Sequence, residues 1–349
     1  MTSTPDSVVI IGGGQSGLAG AFAVRDAGMR PVLLEAGDRT VGSWPDYYDS
    51  LTLFSPARYS GFPGAPFPGD PDRYPTRDEV VTYLEKLALG LDAEIHTNTR
   101  ATAVETSGRG FVVRTNTGRE LQAARVICAS GSFTNPYVPQ LPGEFSGQLL
   151  HVANYRSPEP YAGQRVVVVG AGNSAIQVGY ELAKVANVTL AVRRPVQFVP
   201  QVRGGRDMHY WLHTLRLDLL PPSVLSRIVR GTLVFDTGIY SNAVKSGLLD
   251  QRPMFTRFNG DEVVWADSTE EHVDTVIFAT GYGPNLPYLK DLGALDTTGM
   301  PLHKRGISLT HQGLAYLGVE FQRSFSSNTL RGVSRDAQYV VRALASAGR

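Results

Sequence analysis

Two runs of β-branched residues, Val8 to Ile11 and Val166 to Val169, are continuously apolar rather than alternating. That is the pattern of strands buried on both faces of a parallel sheet. Each run breaks directly into small residues: Gly12, Gly14 and Gly17 in G-x-G-x-x-G order, then Gly170, Gly172 and Ala175 in G-x-G-x-x-A order. A helix and a second short strand follow each turn, Pro31 to Leu34 in the first copy and Val188 to Val192 in the second. The predicted elements are therefore two strand–turn–helix–strand units, an α/β chain with two Rossmann-like dinucleotide-binding domains.

In such a turn the first glycine allows the tight bend and the second lets backbone approach a pyrophosphate. The third position packs helix on strand. The helix N-terminus then points positive charge at the phosphates. Gln15, Ser16, Asn173 and Ser174 stand beside these glycines and join the candidate cofactor-binding residues.

The two copies differ at one telling position. Gly12 to Glu35 is 35 − 12 = 23 positions, and Gly170 to Arg193 is 193 − 170 = 23. An acid at the end of the second strand accepts hydrogen bonds from a ribose and repels a 2′-phosphate. Arg193, followed by Arg194, suits that phosphate through charge-assisted bonds. FAD at the first site and NADPH at the second is the economical assignment, with hydride passing from nicotinamide to flavin.

The rest of the pattern is less regular. From Ala36 to Pro75 the chain is dense in Pro, Gly and aromatics, and a loop so long inside a domain is usually functional. Trp44, Tyr47, Tyr48, Phe54 and Tyr59 are expected to wall a planar ring system, with core filling as the alternative for some of them. Thr76 and Glu79 form a T-x-x-E capping box that opens a helix to about Leu89. Residues 94–130 read as strands, the last (Arg125 to Ala129) returning to the first sheet. Asn135 to Gly143 reads as a proline-stiffened linker. His151 lies in a following segment, F-x-G-x-x-x-H-x-x-x-Y, read as a hinge that places one imidazole near the domain junction. A lone histidine is more often structural, and proton transfer is the functional alternative.

Residues 198–250 offer Arg203, Arg206, Asp207 and a helix carrying His209 and His213. HYWLH lacks the adjacent glutamate and a third ligand, so no metal is expected. A hairpin is predicted at Met254 to Phe258 and Val263 to Ala266, and a strand at Thr275 to Ala279 ending in Thr280 and Gly281. A C-terminal helix opens around Asn328 to Leu330, where backbone N–H groups suit the C2 carbonyl of a reduced flavin.

Composition narrows the reading. A chain of 349 residues is long enough for two domains, and its formal charge of +1 offers no field for nucleic acid or an anionic membrane. The single cysteine, Cys128, rules out a disulfide framework and a C-x-x-C redox pair. The opening MTSTPDS lacks a basic, then apolar, leader and no run reaches a membrane span, so a cytoplasmic protein is expected.

The ordered motifs GGGQSG, GSW, YDSL with FPGAPFP, YPTRDEVVTYL, GAGNSA with RR, FATGYGPN and FQRSFSSNTLRGVSRDA cover nearly the whole chain. Together they resemble the class B flavin-containing monooxygenases, most closely the short bacterial members, including the branch found in arsenic-resistance operons. The resemblance implies an FAD domain (1–155 and 284–349) interrupted by an NADPH domain (156–283). It also implies that NADPH-reduced flavin meets O2 to give a C4a-hydroperoxide, which passes one oxygen to a small sulfur, nitrogen or arsenic nucleophile. Trp44, Leu53, Thr280, Gly281 and Leu330 join the cofactor-binding set, and His151, Phe54 and Arg206 are the catalytic candidates.

Two departures stand out. Phe54 occupies the position where larger members carry an asparagine beside the flavin. Tyr155 stands where the Baeyer–Villiger branch has tryptophan, which lowers the expectation of ketone oxidation. An NADPH oxidase or reductase, and a flavin-based redox sensor, are the competing readings. The expected partners are a small-molecule substrate and O2, with a homodimer compatible with the sequence.

Overall fold

The computed structural model describes residues 7–108, 110–224 and 233–346. A seven-stranded sheet runs in the order His303–Lys304, Ile307–Ser308, Leu314–Tyr316, Arg125–Cys128, Ser7–Ile11, Arg30–Leu34, Glu94–His96. From Leu314–Tyr316 to Glu94–His96 every pairing is parallel. Ser7–Ile11 is wholly buried, and its side chains alternate between two cores. Val8 and Ile10 meet the helices Gln15–Asp26 and Leu330–Ser346, while Val9 and Ile11 meet Phe111 and Tyr316. This is why the run carries no polar residue.

A second sheet repeats the plan with five parallel strands, Asp250–Pro253, Asn187–Val192, Arg165–Val169, Thr275–Phe278 and Gln148–His151. Val166 and Val168 pack toward the helix Asn173–Leu182, and Val167 and Val169 toward Phe258 and Trp265. The two-domain α/β class expected from the paired units is the fold observed.

Some local expectations change. Gln148–His151 is not a hinge but an edge strand of the second sheet, paired with Thr275–Phe278. Its last residue lies before position 155, the expected end of the first FAD segment. The predicted hairpin gains a third strand: Arg257–Asn259, Glu262–Val264 and Glu270–His272 form an antiparallel sheet against the second core. The T-x-x-E box is present, Thr76 N–H donating to Glu79 Oε2 at 2.9 Å and Glu79 N–H to Thr76 Oγ1 at 3.4 Å. Among the described residues no helix is long and apolar enough to cross a membrane.

Candidate active site

The first glycine turn sits where three strands end. Gly12 has φ +108°, and a Cβ there would lie 2.5 Å from the Ala129 carbonyl oxygen at the tip of the neighbouring strand. A Cβ on Gly17 would come within 1.7 Å of the Gly12 oxygen, so the third position must be glycine for helix and turn to close. The second turn repeats this: Gly170 has φ +146° and its Cβ would lie 2.5 Å from the Ala279 oxygen. Gly172 is the extended residue before the helix that Asn173 and Ser174 begin, all three half-buried. Both cradles are of the kind that admit a pyrophosphate against bare backbone.

Glu35 is buried at the end of Arg30–Leu34, and its two carboxylate oxygens accept from the Gly13 N–H at 2.6 Å and the Gly37 N–H at 2.7 Å. The acid is thus locked onto the glycine turn itself, and each oxygen keeps a further lone pair able to accept a hydrogen bond. Gln15 bridges two distant pieces of chain. Its amide donates to the Asn328 carbonyl at 2.7 Å, and its Oε1 accepts from Trp44 Nε1 at 3.2 Å. The first turn is therefore tied to the entry of the C-terminal helix, whose first residue is the buried Leu330. Ser16 is buried beneath Gly318, where a Cβ would lie 2.2 Å from its hydroxyl.

At the second site Arg193 and Arg194 directly follow Asn187–Val192 and are exposed. Among the described residues neither guanidinium makes an ion pair or hydrogen bond to another group. Thr280 donates its hydroxyl to the Tyr137 carbonyl, and Gly281 (φ +88°) accepts from the Tyr137 N–H at 2.9 Å. These contacts belong to the crossover near the second turn and hold the 135–143 stretch, read as a linker, against the 280–283 loop.

The long aromatic loop does not form one wall. Trp44 and Tyr47 continue through Phe133 to Tyr282, with ring centroids 5.5, 4.4 and 5.3 Å apart. Tyr48 is buried elsewhere, donating to Gln177 on the second domain's helix. Phe54 and Tyr59 flank His209 at 5.9 and 6.3 Å. Leu53 is half-buried against the first core.

The catalytic candidates are separated in the same way. His151 is 3% exposed and lies edge-on to Tyr282 at 4.9 Å. Its Nδ1 accepts from the Ala153 N–H at 3.1 Å. Burial lowers its pKa, partly offset by the Gly281 backbone. It does not meet Phe54 in any ring contact. Arg206 is exposed on the small hairpin Val202–Arg203 and Arg206–Asp207, its guanidinium 5.2 Å over the Tyr210 ring.

The residue that Phe54 does touch is His209, which the sequence offers only as half of a histidine pair without a third metal ligand. His209 is 1% exposed, with Phe235 at 5.3 Å completing its aromatic surround. Its Nδ1 lies 2.9 Å from Asp207, which also accepts from Tyr74 at 2.5 Å and Gln201 at 2.6 Å. Burial works against the Asp207 charge, but these three hydrogen bonds outweigh it and lower the pKa. The available signal was Asp207 two residues before a histidine that falls on the apolar side of a short helix.

Two glycine cradles, each closing a parallel sheet, with an acid behind one and arginines behind the other, define an oxidoreductase with two dinucleotide folds. Residues 9–222 match the family model described as pyridine nucleotide-disulphide oxidoreductase. An uncharacterised CzcO-like oxidoreductase of Geobacillus kaustophilus is 31% identical over 96% of this chain and 97% of its own. Indole-3-pyruvate monooxygenase YUCCA1 of rice is 30% identical over 96% of this chain and 90% of its own. The solved flavin-containing monooxygenase from Stenotrophomonas maltophilia superposes with TM-score 0.85 at 32% identity, covering 98% of this chain and 99% of that one. The chain belongs to the pyridine nucleotide-disulphide oxidoreductase family, in its class B flavin monooxygenase group, whose enzymes depend on FAD and NADPH.

Proposed function

We propose that this flavoprotein monooxygenase draws hydride from NADPH and places one oxygen atom of O2 on a small soft nucleophile at sulfur, nitrogen or arsenic. The observation that carries this reading is the opposite charge behind the two cradles. Glu35 is buried and fixed on the first turn, whereas Arg193 and Arg194 stand free and exposed beside the second. The residues fit their cofactors: Gly12, Gly14, Gln15, Ser16, Gly17 and Glu35 hold FAD, and Gly170, Gly172, Asn173, Ser174, Arg193 and Arg194 hold NADPH. Bound FAD supplies the oxygen-activating chemistry, and the protein supplies position and exclusion of water.

In this reading the first domain comprises 1–155 and 284–349 and the second 156–283, save that the strand Gln148–His151 pairs into the second sheet. The strap from Trp44 to Tyr48 couples them, because it touches Gln15 on one side and Gln177 on the other. Phe54 favours a second reading. Its ring offers no hydrogen bond to a bound oxygen species, so electrons can leave as hydrogen peroxide and the protein then acts as an NADPH oxidase.

The test is stoichiometry with methyl phenyl sulfide as substrate. Sulfoxide formed in proportion to NADPH consumed supports oxygenation. Hydrogen peroxide matching NADPH, with no sulfoxide from this sulfide, no N-oxide from a tertiary amine and no arsenate from arsenite, supports the oxidase.

A further inference from the structure

Apolar side chains ordinarily hold an element onto a protein's body, so a segment fixed by buried polar groups instead is informative. Residues 201–219 of the second domain are such a segment. Among them Gln201, His209 and Asp218 are the buried ones, whereas Val202, Leu215, Leu217 and Leu219 are exposed. The buried three lead to residues of the first domain. Gln201 Nε2 donates to the Phe54 carbonyl at 3.2 Å and to Asp207 Oδ2 at 2.6 Å. The Tyr74 hydroxyl donates to that same Asp207 oxygen at 2.5 Å, and the other oxygen lies 2.9 Å from His209, whose ring faces Phe54 and Tyr59. Arg331, on the first turn of the C-terminal helix, grips Asp218 with Nε at 3.1 Å and Nη2 at 2.9 Å, both side chains being 8% exposed. The segment's own structure is slight. Its helix Met208–Thr214 has seven residues, too few to persist in water without a surface to dock on. Removing either partner of a buried bidentate pair leaves an uncompensated charge, so the segment stays or lifts with these polar ties.

We propose that residues 201–219 are a detachable cover on the flavin side of the first domain, latched by Asp218 on Arg331 and by Asp207 on Tyr74. The cover grips the first domain at two points that the cofactor reading puts beside the flavin, since Phe54 follows Leu53 and Arg331 follows Leu330. Closed, it holds Phe54 in place and keeps water from the reacting face; lifted, it opens a path for a small substrate. Asp207, Asp218, Tyr74 and Arg331 are thus positioning residues, acting through the segment they hold. The proposal rests on the reading that places FAD in the first cradle, and not on where the oxygen goes.

Two measurements on oxidised, FAD-loaded protein without NADPH test this, so no turnover enters either. Hydrogen–deuterium exchange of peptides spanning 208–219 reads the latch, and quenching of flavin fluorescence by iodide reads the cover. Asp218→Asn and Arg331→Met each remove one side of the pair and should speed exchange across 208–219 about tenfold or more, leaving Ser7–Ile11 unchanged. Iodide should quench the flavin severalfold more effectively in both variants. They alter the local charge in opposite senses, so a gain in both reports opening rather than attraction of the anion. Asp218→Arg combined with Arg331→Asp restores a pair at the native net charge and should recover part of both effects. Unchanged exchange in the single variants, or a rise shared equally by Ser7–Ile11, would overturn the latch. Faster exchange with no gain in quenching would overturn the cover. Peroxide release without sulfoxide would instead sink the oxygenase reading and leave the cover standing.

Discussion

Single residues carried most of the chemistry that could be read in advance. Gly12, Gly17 and Gly170 were legible because the backbone has no alternative there: a Cβ at Gly17 would overlap the Gly12 oxygen. Glu35 and Arg193 were legible because they fall at equal distances from their first glycines. His209 was not, since its one local sign is Asp207 two residues earlier, and Phe54 and Phe235 reach it from distant parts of the chain. The arginine reading has a direct consequence. Changing Arg193 and Arg194 together to alanine should raise KM for NADPH about ten- to a hundredfold, from the ~1.5–3 kcal/mol of a hydrogen bond to a charged group. Binding of the 2′-phosphate is the same in ground and transition states, so kcat should change little. Steady-state kinetics with NADPH and NADH check it, and an unaltered ratio of kcat/KM for the two would remove the assignment.

At the scale of elements, the paired strand–turn–helix–strand units were visible because strands buried on both faces leave continuous apolar runs. Edge and loop pieces were not. QLLH at 148–151 has two exposed residues and an intermediate one, and becomes a strand only because Thr275–Phe278 offers a free edge. The aromatic loop was read as one wall, yet its rings divide among three places because each finds a different partner. Just past the strap, a carboxylate on the second domain's helix holds the loop at Ser50. Glu181 Oε2 accepts from the Ser50 hydroxyl at 2.9 Å and from the Tyr155 hydroxyl at 3.0 Å, and Tyr155 is fully buried. Glu181→Ala leaves that hydroxyl unpaired and should cost about 1–3 kcal/mol, whereas Tyr155→Phe removes the donor with its need and should cost about 1 kcal/mol or less. Urea unfolding midpoints give the order, and equal losses would show that the bond itself is not what matters.

For the whole molecule, the titrating groups buried on folding set the response to acid. Burial lowers the pKa of His151, His209 and His303 below the ordinary 6.5, so all three are held neutral in the folded chain. The unfolded chain binds protons to them first. Their contribution is therefore fully present above pH 6.5 and is lost as pH falls through that value toward the folded pKa. Burial acts oppositely on Asp336 and Glu320, whose raised pKa makes the folded chain take protons more readily and blunts the loss. A comparison that holds those groups constant isolates one histidine. Between about pH 7.5 and about pH 5.5 the native protein should lose more stability than His209→Phe does, the difference being the free energy of protonating the unfolded histidine. Urea midpoints at the two pH values measure both losses. Identical pH dependence would mean that His209 takes up its proton while folded, with Asp207 and Asp218 outweighing burial and Arg331 around it.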